Sequence, residues 1–173
     1  MRELFVIDKQ NYDKNGTVFE RPSVRGIIIE NNLVAMMHSK KYNYYKLPGG
    51  GIENTETHEQ TLIREVREES GLVVIHNSIK EFGYVRRIEK GKYEDIFIQD
   101  NYYYLCKVES EKVLPKLDEY EKEEQFVLEY VLPQNAINTN KNADHKEKNK
   151  ISAFWGMIER ENRILEILTE EIF

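Results

Sequence analysis

The alternation of apolar and polar positions predicts a hairpin near the start of this chain. Val24 to Glu30 and Leu33 to Met37 are apolar runs of strand length, and Asn31-Asn32 joins them. A two-residue connection between such runs suits a hairpin turn with positive φ, which Asn tolerates. The tyrosine-rich segment from Tyr42 to Tyr45 follows and is predicted to be a loop.

Two longer segments further along the chain favour extended structure. Ile79 to Glu89 and Ile96 to Val108 predict a pair of long strands connected by a turn at Gly91. In the second strand, the residues expected on one side of the sheet are Ile96, Ile98, Tyr102, Tyr104, Cys106 and Val108. Leu72 to His76 and Phe126 to Val131 predict two further strands.

Helical periodicity and end signals predict two helices. In the first, Thr57 and Gln60 have the spacing of a capping box, whose side chains satisfy free N–H groups where a helix begins. Gly71 suits the left-handed residue that ends this helix. Leu62 and Val66 lie four residues apart and form its apolar stripe. The second helix, near the end of the chain, is predicted from the stripe Ile151, Trp155, Ile158, Leu165 and Leu168.

The remaining segments are polar. Lys112 to Gln125 is charged and contains Pro115, so it is predicted to be a loop. Asn135 to Lys150 is rich in Asn and Lys and is predicted to be a mobile connection. We find no internal repeat, and we expect a single domain over residues 1–173. Mixed strands with helices on either side predict the α/β class, as a three-layer α/β/α sandwich with a mixed sheet.

Composition and charge narrow the class of protein. The chain is 40% hydrophobic and 32% charged, and no run of residues is long enough to span a bilayer. Its single cysteine, Cys106, excludes an internal disulfide, and the first ten residues lack the apolar core of a signal peptide, so we expect a cytoplasmic protein. A net charge of −6 argues against a nucleic-acid polymer as partner, but a free nucleotide arriving with a metal ion is less penalised.

Three carboxylates share one face of the first predicted helix. Glu65, Glu68 and Glu69 are three and four residues apart, and the glycine-rich turn Pro48-Gly49-Gly50-Gly51 lies just upstream. Like charges at this spacing repel one another, so they favour a site for a divalent cation that neutralises them. Mg²⁺ prefers such oxygen ligands beside a phosphate-bearing substrate, and it can activate water for attack on phosphorus. The alternative interpretation is a solvated acidic surface.

The full pattern from Gly50 to Leu72 decides between these interpretations. Its fixed residues follow the spacing G-x5-E-x7-R-E-U-x-E-E-x-G-U, where U is apolar. At average residue usage, such a pattern occurs by chance in about one window per billion. The pattern resembles the Nudix box, and every position is met here. Leu47-Pro48-Gly49-Gly50 also resembles the lead-in to that box.

The resemblance implies a fold, an activity and roles for particular residues. Nudix hydrolases share an α/β/α sandwich and cleave nucleoside diphosphates linked to another group, using Mg²⁺ or Mn²⁺. By resemblance, the metal ligands are Glu65, Glu68, Glu69 and the carbonyl of Gly49. Glu65 or Glu68 is the general base, whereas Arg64 and Glu56 orient the catalytic carboxylates.

A glutamate outside the box reaches the metals in many members of this family. The candidates in this chain are Glu123 and Glu124, and Glu124 is taken as the additional metal ligand. The alternative is that the acidic segment from Asp118 to Glu124 is solvated surface.

Residues just before the glycine-rich turn are candidates for substrate contacts. The cationic candidates for a phosphate are His38, Lys40 and Lys41, and the aromatic candidates for stacking on a base are Tyr42, Tyr44 and Tyr45. The alternatives are exposed loop cations, and tyrosines that pack internally or against a partner such as a second copy of the chain.

The identity of the substrate is approached by elimination. Subfamilies that act on ADP-ribose tend to carry a proline about fifteen residues past the box, where this chain has Arg86 and Arg87. We therefore expect cleavage of a nucleoside triphosphate, such as an oxidised one like 8-oxo-dGTP, to nucleoside monophosphate and pyrophosphate. The alternatives are ADP-ribose, a dinucleoside polyphosphate, or a nucleotide-sensing module without catalysis.

Overall fold

The computed structural model describes residues 1–53, 55–142 and 144–173, with the side chain of Ser152 left out. Its strands are β1 (Glu3–Asp8), β2 (Val18–Glu20), β3 (Ser23–Ile27), β4 (Ile29–Glu30), β5 (Leu33–Ser39), β6 (Tyr44–Lys46), β7 (Lys80–Glu89), β8 (Ile96–Leu105) and β9 (Phe126–Val131). Its helices are α1 (His58–Ser70), α2 (Glu119–Glu123), α3 (Pro133–Asn142) and α4 (Ser152–Glu171). Short 3₁₀ turns lie at His76–Ser78 and Lys146–Lys150.

The larger sheet is mixed, as the sequence predicts. Its centre is the long antiparallel pair of β7 and β8, which confirms the two strands predicted around Gly91. β1 adds to β7 in parallel, and β2 and β3 add one after the other to the far edge of β8, also in parallel. The predicted α/β class with a mixed sheet is therefore confirmed.

The smaller sheet is antiparallel and contains the predicted hairpin. β4 and β5 meet at a turn in which Asn31 has φ 51° and Asn32 has φ 60°. Positive φ at both central residues defines the turn type that matches strand twist, and Asn accepts it at low cost. β5 then pairs with β6 over its last residues and with β9 along most of its length.

Helices cover both faces of the mixed sheet. On one face, α4 buries Ile164, Leu165 and Leu168 against Val85 and Tyr103 of the central strands. On the other face, α1 supplies its predicted stripe, and Leu62 and Val66 are both fully buried together with Val24, Tyr104 and Cys106. Burial of this kind contributes ~1.5–3 kcal/mol per large apolar side chain. The two cores place a helical layer on each side of the sheet, so the sandwich is confirmed.

Four local predictions are wrong. Leu72 to His76 forms only an isolated pairing of Val74 with Val108 before the 3₁₀ turn. Tyr42 to Tyr45 is not a loop throughout, because its second half begins β6. Lys112 to Gln125 contains α2, which starts at a capping box formed by Asp118 and Glu121.

The fourth error is the segment from Asn135 to Lys150. Its first half, up to Asn142, lies in α3, and Lys146–Lys150 forms a 3₁₀ turn; Ala143 lies outside the described residues. α3 is held by buried Ala136 and Ile137, and by the Asn140 side chain, which bonds both the N–H and the carbonyl of Tyr45. A polar residue therefore serves as a core contact here, which a hydrophobic pattern does not register.

Candidate active site

Helix α1 begins and ends where the sequence predicts. Thr57 is extended, its hydroxyl accepts from the N–H of Gln60, and the Gln60 side chain accepts in return from the N–H of Thr57. Gly71 ends the helix in the left-handed region at φ 74°. With both ends fixed and its apolar stripe buried, the helix presents its carboxylates in one defined direction, toward the glycine-rich turn.

The three predicted glutamates line one small cavity. We call it the acidic cavity; it has a volume of about 70 Å³. Its lining residues are Glu53, Arg64, Glu65, Glu68, Glu69, Lys116, Asp118 and Glu121. Carboxylate side chains from α1, from the residues after the glycine-rich turn and from α2 therefore converge at one place.

Arg64 links most of the carboxylates on one side of this cavity. Its Nε and Nη2 donate to the two oxygens of Glu56, each at 2.7 Å, and Nη1 donates to Glu65 at 2.7 Å and to Glu68 at 3.3 Å. Glu56 also accepts from the hydroxyl of Thr61. The Arg64 guanidinium lowers the pKa of Glu56 to about 2. Arg64 and Glu56 thus form a fixed support beneath the more exposed Glu68.

Glu69 ties the helix to the glycine-rich turn. It is 4% exposed; one oxygen accepts from Nζ of Lys46 at 2.7 Å and the other from the N–H of Gly49 at 3.0 Å. Lys46 is buried as well, and it also contacts Glu121 at 3.3 Å and the hydroxyl of Tyr120 at 3.2 Å. Burial raises the pKa of Glu69 to about 7, although the positive charge of Lys46 opposes this.

The glycine-rich turn packs directly on the carboxylates and on β3. A Cβ at Gly50 would overlap the carboxylate of Glu65, so glycine allows this side chain to lie directly against the turn. The Gly50 carbonyl accepts from the N–H of Val24, which holds the turn alongside β3. The Gly49 carbonyl, predicted as a metal ligand, accepts from the guanidinium of Arg25.

The donor set fits a hard divalent cation in its chemistry. Mg²⁺ and Mn²⁺ take carboxylate oxygens, and this cavity offers them from several chain segments. Burial raises the pKa of Glu65 as well as that of Glu69, so negative charge in the cavity is incompletely compensated. Among the described residues, however, no three acidic, histidine or cysteine side chains already stand together as a coordination shell. In the structure, Arg64 and Lys46 hold the carboxylates that an ion would take.

The acidic segment before β9 contributes a different residue from those predicted. Glu124 is buried elsewhere, where it accepts from Tyr44 at 2.6 Å and pairs with Lys148 at 2.7 Å. Glu123 pairs on the surface with Lys41 at 2.8 Å. Glu121 lines the acidic cavity instead. Its spacing of three residues from Asp118 is the capping-box signal that was available in the sequence.

The residues before the glycine-rich turn are mostly engaged in the fold. His38 is buried, stacks on Tyr45 with centroids 4.1 Å apart, and approaches Glu129 at 3.2 Å. Lys40 pairs with the same Glu129. The three tyrosines, predicted either to stack on a base or to pack, are all buried: Tyr42, Tyr44 and Tyr45. Internal packing is therefore the alternative that the structure supports.

Sequence comparison identifies the family. The NUDIX domain model matches residues 20–153, which is more than half of the chain. The chain therefore belongs to the Nudix hydrolase family, as the box from Gly50 to Leu72 implied.

A curated relative is similar over part of its length. An RNA pyrophosphohydrolase of Acinetobacter baylyi is 44% identical over 61 residues, which are 34% of this chain and 36% of the relative. The match therefore spans about a third of that relative.

Solved structures with the same fold come from several bacteria. A NUDIX hydrolase from Nitrosomonas europaea aligns over 82% of this chain and 87% of its own, with a TM-score of 0.55 and 16% identity. The MutT NUDIX hydrolase from Burkholderia pseudomallei aligns over 82% and 97%, with a TM-score of 0.53 and 16% identity. The MutT protein from Bacillus halodurans aligns over 69% and 72%, with a TM-score of 0.53 and 16% identity. At these identities, the likeness shows the fold alone.

The helices give one further finding. Within the described part of the chain, none combines the length and the apolar character that crossing a membrane requires.

Proposed function

We propose that this protein is a divalent-metal-dependent pyrophosphohydrolase that cleaves a nucleoside triphosphate to nucleoside monophosphate and pyrophosphate. The acidic cavity carries this proposal, because carboxylates from three segments of the chain meet beside the glycine-rich turn. Glu65, Glu68 and Glu69 are its central residues. An acidic cluster of this kind is costly to maintain unless a cation joins it.

The cation would be held by carboxylates of the acidic cavity. Glu65, Glu68 and Glu69 are the proposed ligands, and Mg²⁺ or Mn²⁺ suits their hard oxygens. When bound, such an ion neutralises phosphate oxygens and lowers the pKa of water. Glu121 is better placed than Glu124 to add an oxygen from outside the box, because it lines this cavity. The Gly49 carbonyl can bind the cation only if Arg25 releases its hydrogen bond to that oxygen.

The protein side chains orient the reaction and move one proton. Water attacks phosphorus, its proton passes to Glu65 or Glu68, and the anhydride bond breaks so that pyrophosphate leaves. Arg64 contacts both candidate bases, and Glu56 fixes Arg64 from behind through two hydrogen bonds. Lys46 holds Glu69 against the turn. We assign Arg64 and Glu56 as positioning residues on this basis.

A second substrate class is favoured by one observation. The relative that is 44% identical over 61 residues is named an RNA pyrophosphohydrolase, so the triphosphate at the 5′ end of an RNA is a candidate. The net charge of −6 argues against extended contacts with an RNA chain. ADP-ribose and dinucleoside polyphosphates remain as alternative nucleotides with the same kind of bond.

A substrate panel tests the proposal. Purified protein with Mg²⁺ or Mn²⁺ is given the four nucleoside triphosphates, 8-oxo-dGTP, ADP-ribose, a dinucleoside polyphosphate and a short 5′-triphosphate RNA. We expect a free triphosphate to be cleaved with the highest kcat/KM, with release of pyrophosphate. Much faster turnover of ADP-ribose or of the RNA would overturn the substrate assignment.

Matched variants separate an enzyme from a nucleotide-sensing module. Glu68→Gln keeps the shape of a cavity residue and removes its charge, so turnover should fall by roughly a thousandfold. Glu59→Gln is the control, because Glu59 lies on the same helix and pairs with His76 on the surface at 3.1 Å. Equal activity of the two variants, or no turnover of any substrate by the wild type, would refute the enzyme proposal.

A further inference from the structure

A second cleft lies at the turn end of the long strand pair, apart from the acidic cavity. It has a volume of about 370 Å³ and lies between β2, the β7–β8 connection and the first turn of α4. We call it the hairpin cleft; the lining residues that matter here are Phe19, Arg21, Arg87, Glu89, Tyr93 and Phe97.

Strand register builds the floor of this cleft. Phe97 of β8 lies directly between Glu89 of β7 and Phe19 of β2, so the three side chains project from the same face of the sheet. The rings of Phe19 and Phe97 lie 6.0 Å apart with an interplanar angle of 37°. Phe19 is 43% exposed, and Tyr93 on the connection is 83% exposed. The floor is thus aromatic and exposed at Phe19, and the Arg87 guanidinium lies 5.5 Å from the centre of the Phe97 ring.

A buried charged pair closes one side of the floor. Arg87 and Glu89 are 7% and 3% exposed and approach each other at 3.1 Å. Nε of Arg87 and Oε2 of Glu89 have no hydrogen-bond partner among the described residues. Burial lowers the pKa of Arg87 to about 10, and the nearby Arg160 adds to this. The pair therefore has an unused donor and an unused acceptor beside an aromatic surface.

Arg21 connects the hairpin cleft with the glycine-rich turn. Its side chain lines the cleft and lies against Gly51, with Nε 3.0 Å from where a Cβ of that glycine would stand. The Gly51 carbonyl in turn accepts from Arg64 at 3.4 Å, and Arg64 lines the acidic cavity. A phosphate chain that left the cleft would thus pass a cation on its way to the carboxylates.

We propose that the hairpin cleft binds the base of the nucleotide substrate, with Phe19 and Phe97 as the stacking surface and the Arg87–Glu89 pair facing the edge of a guanine-type base. The proposal rests on the function proposed above. A carboxylate only accepts hydrogen bonds, and guanine presents N1–H and the 2-amino group side by side as donors. The unused Nε–H of Arg87 can donate to O6 of the same base. Adenine and the pyrimidines lack this combination.

A larger cleft competes for the base. It has a volume of about 510 Å³ and lies beside α1, where Ile63, Arg67 and Leu114 contribute to its walls. It adjoins the acidic cavity directly, since both include Glu68. Its lining contains no aromatic residue among the described ones, so it offers no stacking surface.

Binding of reaction products without metal tests the proposal independently of hydrolysis. Isothermal titration in EDTA measures the Kd of GMP, AMP, CMP and UMP for the wild type and its variants. We expect GMP to bind roughly tenfold tighter than the others. Phe19→Leu should weaken GMP binding by roughly tenfold, because base stacking is lost. Glu89→Gln should bring GMP and AMP to within about threefold of each other, because the carboxylate no longer meets two donors.

Controls keep the outcomes separate. Glu166→Gln, on the surface of α4 and outside the cleft, should leave the base preference unchanged, and Leu114→Ala tests the competing cleft. Phe19 is half-exposed, so Phe19→Leu keeps the test valid even if Glu89→Gln fails to fold. Equal affinities for the four products, or a loss of GMP binding in Leu114→Ala but not in Phe19→Leu, would overturn the proposal.

The same measurements separate this proposal from the proposed function. If no triphosphate is hydrolysed but GMP binding depends on Phe19, the base cleft stands and the hydrolase assignment fails. If triphosphates are hydrolysed without a preference that Phe19 or Glu89 alters, the hydrolase assignment stands and the base cleft fails.

Discussion

Two clusters of charged side chains in this molecule use the same chemistry in opposite surroundings. In the acidic cavity, the Glu68 side chain is 39% exposed and that of its partner Arg64 is 25% exposed. In the second cluster, between α4 and the mixed sheet, Arg160 is 1% exposed and Glu161 is fully buried. The first cluster lies where water and ions reach it, whereas the second is enclosed.

The enclosed cluster has its own internal partners. Arg160 donates to Glu161 at 2.7 Å and to the side chain of Asn101. The other oxygen of Glu161 accepts from the N–H of Leu47 at 2.9 Å, directly before the glycine-rich turn. A buried pair with good geometry costs much to break because the remaining charge is left without compensation. The enclosed cluster therefore fixes the backbone that leads into the site, whereas the more exposed cluster leaves Glu68 accessible to an added cation.

The largest expected effect separates catalysis from stability in the acidic cavity. Glu65→Gln removes a proposed ligand while keeping its shape, so kcat/KM should fall by roughly a thousandfold, which is about 4 kcal/mol. The midpoint of urea unfolding should stay where it is, because like-charge repulsion on α1 is relieved as the bond to Arg64 weakens. Activity and unfolding measured on one preparation check this. If the free energy of unfolding fell by as much as the activity change of about 4 kcal/mol, the acidic cavity would be a stabilising cluster like the enclosed one.

The enclosed cluster should give the reverse result. Glu161→Gln leaves the Arg160 charge uncompensated, and we expect the free energy of unfolding to fall by about 3 kcal/mol. Glu166→Gln is the control on the same helix, since its pair with Lys141 is about half-exposed and should contribute less than about 1 kcal/mol. Urea unfolding curves measure both. Similar small losses in the two variants would show that burial does not distinguish these pairs.

Acid titration probes the support beneath the cavity. Glu56 has its pKa lowered from 4.5 to about 2 by Arg64, so its ionised form stabilises the fold above pH 4.5. That contribution should be lost as pH falls from about 4.5 toward 2. We expect it to be on the order of 1 kcal/mol, because solvent screens this pair. Between pH 5 and pH 2.5, the Tm of Glu56→Gln should fall less than the Tm of the wild type. An equal fall of Tm in the two proteins would contradict the prediction.

The smallest effect serves as a baseline remote from both clusters. Asn32 has φ 60° in the hairpin turn, where Gly has no steric cost. Asn32→Gly should raise the free energy of unfolding by roughly 0.5 kcal/mol, and Asn32→Ala should lower it by about 1 kcal/mol. Both should leave kcat/KM unchanged. A change in activity would mean that the hairpin reaches the site through contacts other than those described.

Local signals predicted much of the fold. α1 was predictable because its two caps and its apolar stripe are encoded within a few residues of each other. β9 was predicted with its observed bounds, Phe126 to Val131. α3 was not predicted because it is held by Asn140, whose side chain accepts from the N–H of Tyr45 and donates to its carbonyl. Contacts of that kind join residues far apart in the chain and leave no periodic pattern.

The candidate site likewise contains residues that local sequence signals predict and residues that they do not. The box residues are encoded at fixed offsets, and the structure brings Glu65, Glu68 and Glu69 to one cavity. Lys46 and Arg25 could not be predicted, because a lysine and an arginine in short strands have no sequence mark that places them beside those carboxylates. Their roles depend on how β3, β6 and α1 pack together.

The hydrogen bond from Leu47 to Glu161 also bears on the order of events during protein synthesis. The glycine-rich turn leaves the ribosome long before α4, which begins at Ser152. Until that helix has emerged and docked, the amide before Pro48 lacks its acceptor. The glycine-rich turn should therefore gain this hydrogen bond only after α4 has been synthesised.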